Sequence, residues 1–333
     1  MLQCLYIYNL YCHILYIMSS FDDKYDLFMK PKTSQYGSHM VMSNVQKQHK
    51  TKYINIDTKF RDEYNDAQTS NQNQDLLSNQ ATSANYTITL PERINDVKSM
   101  QITNIEIPHT FYNISEDLGN NYFKIVDSGN VESIITVPSE NYTTSSLQSA
   151  INTAITNASI TDLSVSVNDN SKTSFVSSGN TYTIDFAVNG SGISDKYRFK
   201  SKLGWLLGFR KISYEVDTTP VSSEGFSNLN STKYLYLAIE EFNHGNQSSF
   251  ISPLFTSLVN KNIISRITID PKTYPFGSII PASHSNGLLI SDNRGYTGKI
   301  DLQKLKVSLL NEDGEPIVLN GLDFSFCISV EHE

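Results

Sequence analysis

Apolar residues recur at every second position over most of the chain from Asn85 onward, the spacing of strands with one buried and one wet face. The clearest case closes the chain. Ile300, Leu302, Leu305, Val307 and Leu309 precede Glu312-Asp313-Gly314-Glu315, and Ile317 and Leu319 then lead to Phe324, Phe326, Ile328 and Val330. Asp-Gly between alternating runs is a hairpin signal. The pattern predicts a terminal antiparallel hairpin whose half-buried last strand also staples to the strand that opens the ordered region.

Other stretches repeat the alternation. Tyr86, Ile88 and Leu90 alternate up to Pro91, which punctuates the run. Residues 97–108 carry Met100, Ile102, Ile105 and Ile107, a slipped alternation that predicts a bulge. Strands are also expected at 122–126, 131–137, 163–167, 175–176, 181–188, 233–242 and 263–269. Upstream, KYINIDTKFR predicts a short strand over 52–57 through Tyr53, Ile54 and Ile56, with Phe60 as a further apolar contact. A polar, aperiodic stretch follows to residue 84 and reads as a flexible arm. A short strand before a long linker suits a chain end that docks on a neighbour.

Only residues 143–158 change period. Leu147, Ala150, Ile151, Ala154, Ile155 and Ala158 form one helical stripe, with Thr144 or Ser145 as cap and Gln148 in capping-box position. LGWLLGF (203–209) predicts a buried turn or short helix, and 250–259 is irregular or helical. Loops are expected at 218–231 and, as a long surface excursion, at 270–294.

Many short strands and one helix predict a mainly β fold, an antiparallel β-sandwich of jelly-roll type with the amphipathic helix at 144–158 inserted. The expected domains are a poorly structured extension at 1–42, an arm at 43–84 with its strand at 52–57, and one elaborated sandwich over 85–333. Two tandem jelly rolls would need more β sequence than this.

Residues 1–18 are the one long hydrophobic run, interrupted by Gln3, Asn9 and His13. They lack a basic n-region and a cleavage site, so they make a poor signal peptide. Codons upstream of the true start are the favoured account, and membrane contact is expected only if residues 1–18 are retained.

Charge and cysteines narrow the function classes. The 333 residues carry a net charge of −8 and a pI near 5.4, which argues against a sequence-specific nucleic-acid binder. Lys47, Lys50 and Lys52 form a small basic group and read as a solvated arm. Cys4, Cys12 and Cys327 cannot build a disulfide framework, and Cys327 is expected as a free thiol in a reducing compartment. The several Asn-X-Ser/Thr triplets follow from an Asn/Ser/Thr-rich composition.

Catalytic signatures are missing from the sequence. No HxH, HExxH, CxxC, phosphate-binding loop or GxSxG elbow occurs, so no metal, cofactor or nucleophile is expected. Glu240, Glu241, Asn243 and His244 make a polar cluster that reads as a solvated strand exit. Asp292-Asn293-Arg294 with Asp301 reads as an Asx-type turn, and 311–315 as a hairpin turn without calcium-loop spacing.

YINIDTKFRD (53–62), YTITLPERINDVKSMQITNIEIPHTFYNIS (86–115), GNNYFKI (119–125), IITVPSENYTTSSLQSAINTAI (134–155), LGWLLGF (203–209) and the closing 298–326 stretch together resemble a virion-protein family of large nucleocytoplasmic DNA viruses. Members look like jelly-roll minor capsid or penton-type proteins. The resemblance spans most of 53–331 and implies a non-enzymatic structural subunit of the virion, assembled in the host cytoplasm. It implies as partners other capsid subunits, the main shell protein and further copies of itself; the short strand before the arm offers Tyr53, Ile54 and Ile56 as the expected assembly residues. The alternative is a glycan- or receptor-binding β-sandwich, with Tyr274, Phe276 and Tyr296 as its stacking residues.

Overall fold

The computed structural model describes residues 50–61, 83–230, 232–242 and 262–333, all within the compact unit Gln48–Glu333. The expected extension at 1–42, most of the arm at 62–82, and the segments holding Lys47, Asn243, His244 and 250–259 lie outside the described residues. The expected mainly β, antiparallel architecture is present. Its strands are β1 (Lys50–Asp57), β2 (Asn85–Pro108), β3 (Tyr122–Asp127), β4 (Glu132–Thr136), β5 (Leu163–Val167), β6 (Thr173–Ser177), β7 (Tyr182–Asp185), β8 (Ser213–Val216) and β9 (Val221–Ser222). After them come β10 (Tyr234–Glu240), β11 (Ile263–Thr268), β12 (Ile279–Ser283), β13 (Leu289–Ser291), β14 (Arg294–Leu310) and β15 (Ser325–His332). Among the described residues the α-helices are α1 (Thr144–Asn157) and the single turn α2 (Leu203–Leu206).

One sheet runs β1-β15-β2-β14-β10-β11-β13, with β12 also on β2. Its spine is β2, whose apolar side chains hold one core together with Leu235, Leu237, Leu305, Val307, Phe326 and Ile328. The slipped alternation has a direct cause. Cys327 pairs with Asn104 and Ile328 with Ile102, so Thr103 is the extra residue that returns Ile105 and Ile107 to the buried face. Pro91 does not end the strand. Between the pairs Thr89–Lys304 and Ile94–Leu302, Leu90 to Arg93 face Gln303 alone, and the proline sits in this irregularity, where no ladder donor is needed.

The predicted closing hairpin is corrected. The turn exists, with Asn311 N–H donating to Glu315 O and Ile317 N–H to Leu309 O. Beyond it Pro316 offers no donor, and Asn320 and Gly321, both at positive φ, swing the chain away. β14 and β15 then flank β2 on opposite sides. The 24-residue β2 offers each a longer ladder than they could offer one another across Pro316. The expected staple of first to last strand does form: β1 pairs with β15 over eight residues, from Lys50–His332 to Asp57–Ser325.

Residues 270–294 are less of a loop than expected. β12 pairs with β2 and β13 with β11, so the excursion is stitched to the sheet at two places. Phe60, expected as an apolar contact, is 71% exposed.

A second core lies wholly within residues 114–229. Two small sheets, β4-β3-β7-β8 and β5-β6-β9, and α1 enclose it. Phe123, Phe175, Phe186, Phe209 and Tyr214 form a continuous ring cluster there, with centroids 4.9–6.2 Å apart. Leu147, Ile151 and Ile155 of α1 are buried, as the stripe predicts. The cap is Thr143, one residue earlier than expected, in a reciprocal box with Ser146. That leaves Gln148 free to accept from Val167 N–H, while Asn152 takes both backbone groups of Val165. The helix thus supplies the missing neighbour of edge strand β5. LGWLLGF is the expected buried plug, and a Cβ on Gly204 would lie 2.2 Å from the Phe186 ring.

Candidate assembly edge and interlobe cleft

At one end of the large sheet β1 presents the ladder edge that faces away from β15. Among the described residues no strand covers it. Alternation divides its side chains: Ile56 is buried, Ile54 packs partly on the first core, and Tyr53 is 68% exposed. The strand is locked at its C-terminal end. Thr58 N–H donates to Phe324 O, its hydroxyl donates to Asp323 Oδ1 at 2.8 Å, and Phe324 N–H donates back to Thr58 Oγ1. Arg61 donates from the same guanidinium nitrogen to Asp323 and to Thr58 O, both at 2.8 Å. Thus β1, expected to dock on a neighbour, is satisfied on one side within its own chain. Tyr53, Ile54 and Ile56 contribute in different ways to that edge.

Glu241, of the polar cluster at the end of β10, is buried rather than solvated. Glu241 and Arg294 are an ion pair at 2.7 Å, each side chain only 1% exposed. Arg294 also donates to Ile239 O and Asn262 O, and the Tyr296 hydroxyl donates to Glu241 Oε1 at 2.7 Å. Burial, then the adjacent Glu241 carboxylate, raises the Tyr296 hydroxyl far above its ordinary range. Every charge here has a partner, which is the condition for burying an ion pair at all. The Asx-type reading of 292–294 is corrected at Arg294, and Asp301 pairs instead with Arg93. Tyr296 is therefore a strand residue in β14, not part of a loop.

The other two expected stacking residues separate as well. Tyr274 packs partly on the first core, and its carbonyl accepts from His109 Nδ1 at 2.7 Å. Phe276 is 43% exposed and lies on Tyr112, rings 5.9 Å apart and 18° from parallel. Phe276 lines a cleft of about 620 Å³ whose walls come from both cores: His109 and Tyr112 on one side, Asn141, Thr144 and Asn228 on the other. The chain crosses between the cores at 112–113 and again near 230–232, so the cleft sits at both crossings. Its residues are far apart in sequence and carry no shared motif, so nothing in the sequence pointed to them together.

Among the described residues no group of three or more His, Cys, Asp or Glu side chains is placed to hold a metal ion, and no helix is long and apolar enough to cross a membrane. Cys327 is a free, half-buried thiol.

The fold is similar to that of a mavirus penton protein. That similarity spans 86% of this chain and 100% of the other, at 11% identity and a TM-score of 0.42. A chain from the 3.5 Å cryo-EM structure of the Sputnik virophage is similar over 85% of this chain and 98% of its own, at 13% identity and a TM-score of 0.35. No family model matches the chain, and no curated protein matches it. With both scores under 0.5, neither likeness bears on what this chain does.

Proposed function

We propose that this chain is a non-enzymatic structural subunit of a virion, a minor capsid or penton-type protein. In this reading it assembles in the host cytoplasm with the main shell protein and with copies of itself. Residues 43–84 act as the arm, and 85–333 form the jelly-roll body that carries the second core. The reading starts from the sequence resemblance over 53–331. The observation that carries it is the edge of β1 that no described strand covers, a row of backbone donors and acceptors held rigid by the Thr58–Asp323–Arg61 lock. An edge strand in this state is a ready template for pairing with another chain. Closed assembly through such heterologous contacts is what a shell subunit requires.

The test is quantitative mass spectrometry of purified particles together with electron microscopy of the purified protein. The expected result is the protein in particles at a fixed ratio below that of the main shell protein, and discrete oligomers in the images. Absence from particles refutes the reading. Proline placed at Asn55, whose side chain is exposed on the edge strand, should weaken oligomers while leaving the monomer folded.

A further inference from the structure

We infer that the cleft between the two cores is a binding site for a neutral carbohydrate. Among the described residues that line it none is Asp, Glu, Lys or Arg, although such residues make up 18% of the chain. A phosphate, sulfate or carboxylate ligand would demand a cation there, and a divalent metal would demand carboxylates. The N-terminus of α1 opens onto the cleft at Thr144, where the Thr143–Ser146 box satisfies the N–H groups of those two residues.

What the walls do offer matches a sugar. Phe276 is a large apolar ring left 43% exposed and held in place by Tyr112 beneath it and by the His109 ring edge-on at 6.3 Å. A fixed aromatic face suits the C–H face of a pyranose, and the ordering cost is met before the ligand arrives. Around it stand groups that both donate and accept: the amides of Asn141 and Asn228 and the hydroxyl of Thr144. His109 donates from Nδ1 to the Tyr274 carbonyl, which fixes the ring on the cleft wall. The volume of about 620 Å³ is that of a small-ligand cleft. The inference does not depend on the chain being a virion subunit.

The experiment uses the full chain, titrated in ligand-observed NMR with chitotriose, maltotriose, mannotriose and N-acetyllactosamine. Sialyllactose, a heparin tetrasaccharide and a proline-rich peptide serve as comparators. Saturable binding of at least one neutral sugar is expected, weakened about tenfold by Phe276→Ala. Tyr197→Ala, which removes an exposed ring outside the cleft, should leave it unchanged. Phe276 is exposed enough that its removal should not unfold the protein, and circular dichroism checks this. The inference is overturned if no neutral sugar binds, if the charged sugars or the peptide bind more tightly, or if Phe276→Ala binds like the parent.

Discussion

The core under the large sheet is closed by strands from opposite ends of the described chain, whereas the core around Phe186 is closed by neighbours in sequence. β1 pairs with β15 and β2 with β14, partners separated by about two hundred residues or more. In the second core β3 pairs with β4, β5 with β6 and β7 with β8, each the next strand along or nearly so. The first is mostly aliphatic and built on one 24-residue spine. The second is a cluster of aromatic rings capped by a helix. Local closure costs less chain entropy and forms sooner, so the second core has the means to fold before the first and without it.

Removing residues 322–333 gives the largest expected effect. It deletes β15, strips β1 and β2 of a partner, and should leave insoluble protein. Residues 112–231 expressed alone should keep the near-ultraviolet signal of the aromatic cluster. A soluble, cooperatively melting truncation, or an unfolded fragment, would show that the two cores are not independent in this way.

Glu241→Ala should cost about 3–5 kcal/mol in urea denaturation, because it strands a buried Arg294. Replacing both, as Glu241→Leu with Arg294→Met, should recover much of that loss, since the pair is retained against a large desolvation cost. A double variant no better than the single would mean that the pair holds the end of β10 for another reason.

Gly204→Ala strikes the second core alone. The new methyl meets Phe186 at 2.2 Å, where rings on several sides prevent a shift. A loss of about 3 kcal/mol is expected, seen in ring resonances of 114–229 before those of the large sheet. Simultaneous loss across both would argue for one cooperative unit. The smallest effect is at Thr143→Ala, which removes the cap of α1 and should cost about 1 kcal/mol. Its signature is faster amide exchange in the first turn of α1, with β2 unaffected.

Much of this was legible in the residues. Met100, Ile102, Ile105 and Ile107 signalled a bulge, which the ladder places at Thr103, because a buried face admits only one register on each side of an extra residue. Leu147, Ile151 and Ile155 gave the buried face of α1, and Phe326, Ile328 and Val330 that of β15. Pairing was not legible where two strands compete for a third. β14 and β15 each alternate correctly, and nothing in their composition says that β2 stands between them. Glu241 and Arg294 each look like surface residues until their separation of 53 positions in the chain is closed to 2.7 Å. The candidate cleft was hidden for the same reason: Phe276 was visible as an aromatic in a loop, but not the Tyr112 under it or the Asn228 opposite.

By itself, then, the order of residues determined which faces are buried, where the helix lies and that the chain is mainly β, because these follow from periodicities of a few residues. The tertiary structure decided which strands are partners, that most of the buried apolar residues divide between two cores rather than sharing one, and which distant polar groups meet at the sheet edge and in the cleft. Those outcomes depend on ladder length, chain closure and desolvation over the whole molecule, which no local pattern records.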